Sequence, residues 1–292
     1  MYSGAGSRVW AQEPNGGRMA ERHGQRGSAA TAAALALMLV LFVGITLYFF
    51  LAKTWWYPPA INDFGREIDA QFTRTFIITG ITFVASQLGL AWVVWRYRAN
   101  GGRAKYVEGN NTFEALWTTA TVVLFVGLGI FGRTAWAQLH FDSAPADAMV
   151  IEVTGKQFNW IFRYPGADGV FGRTNPKYVD ETNPVGIDPK DPAGQDDVVT
   201  LTLGVPVGRE IKLLEKSQDV THGFFVRELR LKQDALPGMV IPVHFHVDPD
   251  KVGEYEIACT QLCGSGHQRM RATLKAMTQA DFERWLANEK AN

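Results

Sequence analysis

The chain has 292 residues, with 29 Lys and Arg against 29 Asp and Glu, and a mean hydropathy of -0.07. Zero net charge gives no support for a nucleic-acid binder, and 20% charged with 47% apolar residues exclude a disordered or fibrous chain. Two cysteines exclude a disulfide-rich scaffold. The length allows about one to three domains.

Three uncharged runs in the first half predict a membrane anchor over residues 27–137. They cover residues 27–52, 75–95 and 115–132, and the third span is expected to end near residue 136. Each has close to the ~20 residues that cross a bilayer core. One such run could be a buried core helix, but three together favour membrane spans.

Basic residues set the expected topology. The tail 1–26 and the loop between the second and third runs are rich in arginine: Arg8, Arg18, Arg22, Arg26, Arg96, Arg98, Arg103 and Lys105. The positive-inside rule places both segments in the cytoplasm, so residues 138–292 lie outside it. We expect a multi-pass protein of a bacterial-type inner membrane with a periplasmic domain. The first run could instead be a cleaved leader, and the true start could be Met1 or Met19.

From Met149 onward the apolar residues alternate with polar ones. Short alternating stretches lie between Gly, Pro and Asp turns, for example at Ile151 and Val153, at Ile241 and Val243, and at Tyr255 and Ile257. This pattern predicts an antiparallel sandwich or barrel.

Two further segments complete the outer domain. Residues 165–198 are turn-rich and predict a long surface loop. The end is predicted to be helical, because Thr278 and Asp281 resemble a capping box. Phe282 and Trp285, with Leu286, would form the stripe that packs against the sandwich.

Both cysteines lie in one twelve-residue stretch with a histidine and a methionine. Cys259 and Cys263 are followed by His267 and Met270, directly after a predicted strand. Thiolate, imidazole and thioether are the ligands that select copper. His222 lies in a polar turn before an apolar strand, a suitable place to present a further imidazole from a second loop.

Alternatives to a copper site remain open at this point. Two cysteines on the oxidising side of a membrane could form a disulfide, although a disulfide needs neither His nor Met nearby. Zinc is a second metal, but Met is a poor zinc ligand. His244 and His246 share the polar face of one strand and are interpreted as solvated side chains.

Several segments together resemble subunit II of the haem–copper cytochrome c oxidases. The similarity covers about residues 75–288, and its motifs lie at residues 114–118, 153–160, 219–224, 232–238 and 259–270. It implies a helical hairpin, here with one extra N-terminal span, followed by an all-β cupredoxin-like Greek-key sandwich that holds a binuclear copper A centre. By the family pattern, the cysteines bridge both coppers, one copper is completed by His222 and Met270, and the other by His267 and the backbone carbonyl of Gln261.

The resemblance also implies a function. Such a subunit accepts electrons from cytochrome c and passes them to haem in subunit I, where O2 is reduced to water. It belongs to the oxidase enzyme without being catalytic alone. The expected partners are subunits I and III, cytochrome c and membrane lipid, and no nucleic acid.

The chain departs from the family pattern at several positions. Gln261 replaces a glutamate that also binds magnesium, which puts a magnesium ion at the subunit interface in doubt. Phe158 aligns with the usual electron-entry tryptophan, so Trp160, expected on the same strand face, is a substitute candidate for electron entry or else a packing residue. Arg163 and Arg227 also differ, which predicts an altered donor-docking surface.

Two other functions compete with the oxidase. The same copper domain could serve a haem–copper nitric oxide reductase, because the choice is made in subunit I. A membrane-anchored copper-delivery protein is the alternative from another class.

The charge is divided between the two halves of the chain. Residues 1–137 contain 12 basic and 7 acidic residues, whereas residues 138–292 contain 17 basic and 22 acidic residues. The acidic outer domain is suited to attract a basic cytochrome c.

Overall fold

This computed structural model describes residues 28–53, 56–100, 106, 108–140 and 143–291. The predicted tail 1–26 lies outside these residues, as do Arg103 and Lys105 of the arginine-rich loop. The chain divides into two compact units. One contains most of α1 (Ala29–Ala52) and the second half of α2 (Asp63–Arg96), and the other contains the first half of α2, α3 (Asn111–His140) and everything that follows.

The three apolar runs all form helices, with longer bounds than the sequence predicts. α2 begins at Asp63 rather than at residue 75, because a polar stretch continues the apolar run as one helix, and α3 ends at His140 rather than near 136. By length and composition, the candidate spans in the described residues are Ala29–Ala52, Asp63–Arg96 and Asn111–Arg133. At most 6% of the residues in the most apolar stretch of each helix are buried by the rest of the chain, so lipid or other subunits must cover these helices.

Each helix begins at a side-chain cap. Ser28 Oγ accepts from the α1 backbone at 3.0 Å, and Asn62 Oδ1 accepts from α2 at 2.8 Å. Asn110 Oδ1 accepts from Thr112 N of α3 at 3.0 Å. Thr278 Oγ1 accepts from Asp281 N at 3.2 Å at the start of α4 (Gln279–Ala291), which confirms the predicted cap. These caps satisfy amides that have no partner within their helices.

In the part of the chain that the structure describes, ten strands form a sandwich of two five-stranded sheets. They are β1 (Met149–Lys156), β2 (Asn159–Tyr164), β3 (Val198–Thr200), β4 (Thr202–Pro206), β5 (Ile211–Ser217), β6 (His222–Val226), β7 (Leu231–Ala235), β8 (Ile241–Phe245), β9 (Gly253–Cys259) and β10 (Arg271–Met277). One sheet has the order β3-β2-β1-β5-β8, and the other has the order β4-β10-β9-β6-β7. The expected cupredoxin-like Greek-key sandwich is confirmed. The sheets are mixed rather than wholly antiparallel, because β1 pairs with β5 and β4 with β10 in parallel.

The core lies between the sheets and extends under α4. Phe162 and Phe224 contribute from opposite sheets and are fully buried. Phe282 of α4 is buried, and the ring of Trp285 meets Tyr164 edge-on at 5.7 Å. The predicted helical stripe therefore does pack against the sandwich.

The turn-rich segment between β2 and β3 is fastened by a buried arginine. Arg163 is 1% exposed and donates to Glu152 at 3.0 Å, to the Gly172 carbonyl at 2.5 Å and through Nε to Asp197 at 3.0 Å. The expectation that Arg163 alters a docking surface is wrong, because its guanidinium lies inside this segment.

The first half of α2 is joined to one end of the sandwich, here called the junction end. The Arg230 guanidinium binds Asp69 of α2 at 2.7 Å and lies over the ring of Tyr57 at 4.5 Å. Ile61 forms two backbone hydrogen bonds with the sandwich domain. Its amide donates to the Glu228 carbonyl at 3.1 Å, and its carbonyl accepts from Asp248 N at 2.9 Å. β6 begins at His222 and ends just before Glu228. This joint therefore lies at the opposite end of the sandwich from the cysteine loop.

The interpretation of His244 and His246 as solvated side chains is wrong. His244 Nδ1 lies 2.7 Å and His246 Nδ1 lies 3.2 Å from the carboxylate oxygens of Glu210. The ring of Phe64 in the first turn of α2 covers both imidazoles, at 5.7 and 5.9 Å. The polar strand face is thus buried by a helix distant in sequence.

Candidate metal centre

The cysteine loop connects β9 to β10 and is closed at its base. Cys259 ends β9, and its amide donates to the Met270 carbonyl at 3.1 Å. A short 3-10 turn over His267–Arg269 carries the chain back. The loop thereby brings residues eleven positions apart to one place above the core.

The sulfur and nitrogen atoms of this loop converge. Cys263 Sγ lies 3.8 Å from Cys259 Sγ, 3.8 Å from Met270 Sδ and 3.7 Å from His267 Nδ1. Cys259 Sγ lies 3.2 Å from the backbone oxygen of Gln261. Both cysteines are free, and 3.8 Å is far beyond an S–S bond of about 2.05 Å, so the disulfide alternative does not describe this structure.

His222 completes the group from a second loop. It is fully buried at the start of β6, and its ligand atom lies within 4.8 Å of those of Cys259 and Cys263. Its Nε2 lies 2.7 Å from Asp219 Oδ1, while its Nδ1 has no hydrogen-bond partner among the described residues. A buried imidazole nitrogen without a partner, with the other nitrogen held by a carboxylate, is typical of a metal ligand.

Two glycines allow this approach. A Cβ at Gly155 would lie 2.7 Å from the His222 ring, and one at Gly223 would lie 2.9 Å from the backbone nitrogen of Gln261. Any side chain at either position would therefore push the histidine or the loop away from the site.

The donor set fits a soft or borderline cation such as copper. Two imidazoles, a thioether and a backbone carbonyl each lie close to one or both of the two thiols. Burial, and then the neighbouring Cys259, raise the pKa of the Cys263 thiol to about 11. The Cys263 thiol without a cation is thus protonated at neutral pH, and a cation must displace its proton to bind.

Comparison with known proteins decides the family. The family model for the periplasmic domain of cytochrome c oxidase subunit II matches residues 149–277. An alternative cytochrome c oxidase subunit 2 of Bradyrhizobium diazoefficiens is 37% identical over 260 residues, which cover 88% of this chain and 92% of that protein. The chain belongs to the cytochrome c oxidase subunit II family.

Other members are more distant from this subunit II. Cytochrome c oxidase subunit 2 of Cereibacter sphaeroides is 25% identical over 225 residues, covering 72% of this chain and 71% of that protein. A crystal structure of the periplasmic domain of subunit II from Bradyrhizobium japonicum is 25% identical, with a TM-score of 0.38, and covers 51% of this chain and 98% of that one. Membership makes the chain a subunit of a cytochrome c oxidase, an enzyme complex.

The aromatic candidates of subunit II are placed differently from the prediction. Phe158 lies in the turn between β1 and β2, and Trp160 lies inside β2, so they do not share a strand face. Trp160 is 1% exposed, and its ring meets those of His222 at 5.8 Å and Phe224 at 5.3 Å. Phe158 is partly exposed and covers the cysteine loop at Gly264.

Two residues that brace the site were not found from the sequence. Gln157 donates its side-chain amide to the Cys263 carbonyl at 2.6 Å, and its backbone amide to Asp219 at 2.7 Å. Asp219 in turn holds the His222 ring. Asp219 had a local signal in its position three residues before a candidate ligand, whereas Gln157 is distant in sequence from both partners.

Proposed function

We propose that this subunit is the electron-entry subunit of its oxidase and holds a binuclear copper A centre in the cysteine loop. The observation that carries the proposal is the buried His222, which has a ring nitrogen within 4.8 Å of two free thiols and an Nδ1 without a partner among the described residues. A protein that buried this nitrogen for packing alone would lose a hydrogen bond without compensation. The subunit would accept electrons from cytochrome c and deliver them to haem in subunit I, where O2 is reduced to water.

The roles of the ligands follow from the family pattern. Cys259 and Cys263 would bridge the two coppers, His222 and Met270 would complete one of them, and the other would take His267 and the Gln261 carbonyl. When bound, the centre supplies storage for one electron. The chain's own contribution is to hold these ligands rigidly from two loops of a packed sandwich, so that little rearranges on electron transfer.

Asp219 and Gln157 would fix the ligands in place. The Asp219 carboxylate would accept a hydrogen bond from His222 Nε2–H, which leaves the Nδ1 lone pair free to bind a metal. Gln157 ties the carbonyl of Cys263 to the β1–β2 turn. Gln261 is exposed and offers no side-chain carboxylate, so we propose the carbonyl role alone for it and no magnesium ligand from this side chain.

Electron entry is proposed at Phe158 rather than at Trp160. Phe158 is partly exposed over the cysteine loop, and Leu262 of the same loop is 80% exposed. Trp160 is enclosed beneath the site and would not touch a donor protein. An uncharged contact next to the metals suits short-lived docking, and the acidic outer domain would guide a basic cytochrome c towards it.

The membrane placement is part of the same proposal. The N-terminus would lie in the cytoplasm and the sandwich in the periplasm of a bacterial-type inner membrane, with subunits I and III against the helices. The spans, the basic N-terminal tail and the basic loop between the second and third spans support this arrangement.

Copper loading of the whole oxidase tests the proposal. The complex purified with wild-type subunit II should contain two coppers bound to this subunit and show a mixed-valence EPR signal. C259S should remove both, whereas M239L, at an exposed methionine outside the site, should keep both. A wild-type complex without the signal would contradict the proposal. Consumption of O2 rather than nitric oxide by the same complex would exclude the reductase alternative.

A further inference from the structure

Glu215 in β5 is a carboxyl group without a partner. It is 0% exposed, and neither of its oxygens has a hydrogen-bond partner among the described residues. Enclosing a carboxyl in this way costs far more free energy than enclosing a Val or Leu of similar size. Its presence in the core therefore calls for a role that an apolar side chain could not fill.

The strand pairing places Glu215 at the metal end of the core. Ser217, two residues further along β5, bridges to Pro237, so the end of β5 runs beside β7. Ala235 at the end of β7 pairs with His222. Glu215 thus lies within the sandwich at the level of the strand that presents a candidate metal ligand, while no described hydrogen bond joins it to that ligand.

The surroundings of Glu215 are mostly apolar. In register with it stand Val153 of β1 and Ile241 of β8. Lys216, the next residue on its own strand, binds Glu152 at 2.9 Å in the network that fastens the turn-rich segment. Neither β1 nor β8, the strands that pair with β5 in the described residues, carries a charge at this position.

Asp234 of β7 is the charged group that faces Glu215. Burial, and then the charge of Asp234, raise the pKa of Glu215 well above its usual value. Asp234 is 32% exposed and is bound by Lys232 at 2.6 Å, so this second carboxylate is in contact with water. The remaining titratable group at this level is His222 on β6.

We propose that Glu215 gains one proton when the metal centre gains one electron, and releases it when the electron leaves. The positive charge of the oxidised centre favours the carboxylate, and reduction removes that charge, so the buried group returns to its neutral form. The electron comes from the donor protein, the proton comes from water, and the O–H bond of the Glu215 carboxyl forms on reduction and breaks on oxidation. This inference rests on the proposed function.

Potentiometry of the intact oxidase tests the coupling. In the wild-type complex, the midpoint potential of the copper absorption should fall as pH rises, with a slope that approaches one proton per electron. E215Q keeps the shape of the side chain and should lose the slope. E210Q, at the junction end of the sandwich, should retain it.

Redox-difference infrared spectra give a second measurement. The wild-type complex should show a carboxylic-acid carbonyl band that appears on reduction, shifts in heavy water and is missing in E215Q. If E215Q fails to bind copper, the wild-type band and its change in D234N still decide the matter. A normal copper signal with a pH-independent potential and no band would overturn this inference alone. Absence of any copper signal from the wild type would overturn the proposed function as well.

Discussion

The two ends of the sandwich differ in how their buried polar side chains are bonded. At the metal end, His222 Nδ1 and both Glu215 oxygens lack partners among the described residues. At the junction end, Arg230 and Glu210 bind several groups each, from the strands and from the first half of α2. Tyr57 Oη and Glu228 Oε2 at the junction end also lack partners in the described part of the chain, so the contrast lies in the ion pairs that tie α2 to the strands there. Three substitutions or conditions would break or sharpen this contrast.

Loss of Arg230 should have the largest effect. Its guanidinium is 9% exposed and binds Asp69, so R230A would leave a part-buried carboxylate without its cation and cost about 3 kcal/mol of unfolding free energy. Thermal unfolding of the purified chain measures this change. R284A removes a surface pair with Asp281 and should cost under about 1 kcal/mol. Equal effects of the two variants would show that the junction is no stronger than an ordinary surface pair.

Loss of the Asp219 carboxylate should have a smaller effect, confined to the metal end. D219N weakens the group that orients His222, and such changes reduce metal affinity by about 10-fold to 100-fold. Competition for copper against a chelator measures the affinity. D250N, at an exposed carboxylate away from the site, serves as the control. Unchanged affinity in D219N would mean that the imidazole is positioned by packing alone.

The smallest effect is a dependence of junction stability on pH. Burial opposes the shift, but hydrogen bonds from His246 and His244 lower the pKa of Glu210 below 4.5. The Glu210 bond raises the pKa of His246 above 6.5. The carboxylate's contribution is therefore lost as pH falls through its lowered pKa. The imidazolium's contribution is complete below pH 6.5 and is lost as pH rises through its raised pKa.

Melting temperatures across this range measure the effect. Stability should be greatest between the two ordinary pKa values of 4.5 and 6.5 and should decline on both sides. Because both groups are partly exposed, each decline should amount to less than about 1 kcal/mol. H246N should remove the decline at high pH, whereas K275Q, at an exposed lysine of β10, should leave it in place. A decline that persists in H246N would assign it to another group.

Local patterns were sufficient for much of the fold and the site. Alternation marked the strands, uncharged runs marked the helices, and the spacing of cysteine, histidine and methionine indicated the ligand set of one loop. Each of these signals lies within about one element. The proposed ligands His222, Cys259 and Cys263 do converge, as that spacing and the family resemblance predicted.

What the sequence could not show depends on distant pairing. Gln157 acts on Cys263, 106 residues away. His244 and His246 look solvated on their strand until α2 covers them. Arg163 reads as a surface charge because its partner Asp197 is 34 residues away. The parallel pairing of β1 with β5 likewise cannot be predicted from the residue pattern of either strand alone.

Arg163 has a consequence for how this part of the chain can change. One guanidinium holds the Gly172 carbonyl and the Asp197 carboxylate, so both ends of the turn-rich segment are pinned to the sheet. Lengthening a loop whose ends are fixed costs little additional entropy. Insertions and deletions within residues 173–196 should thus be tolerated, which makes this segment the place where relatives can differ in length without disturbing the strands beneath it.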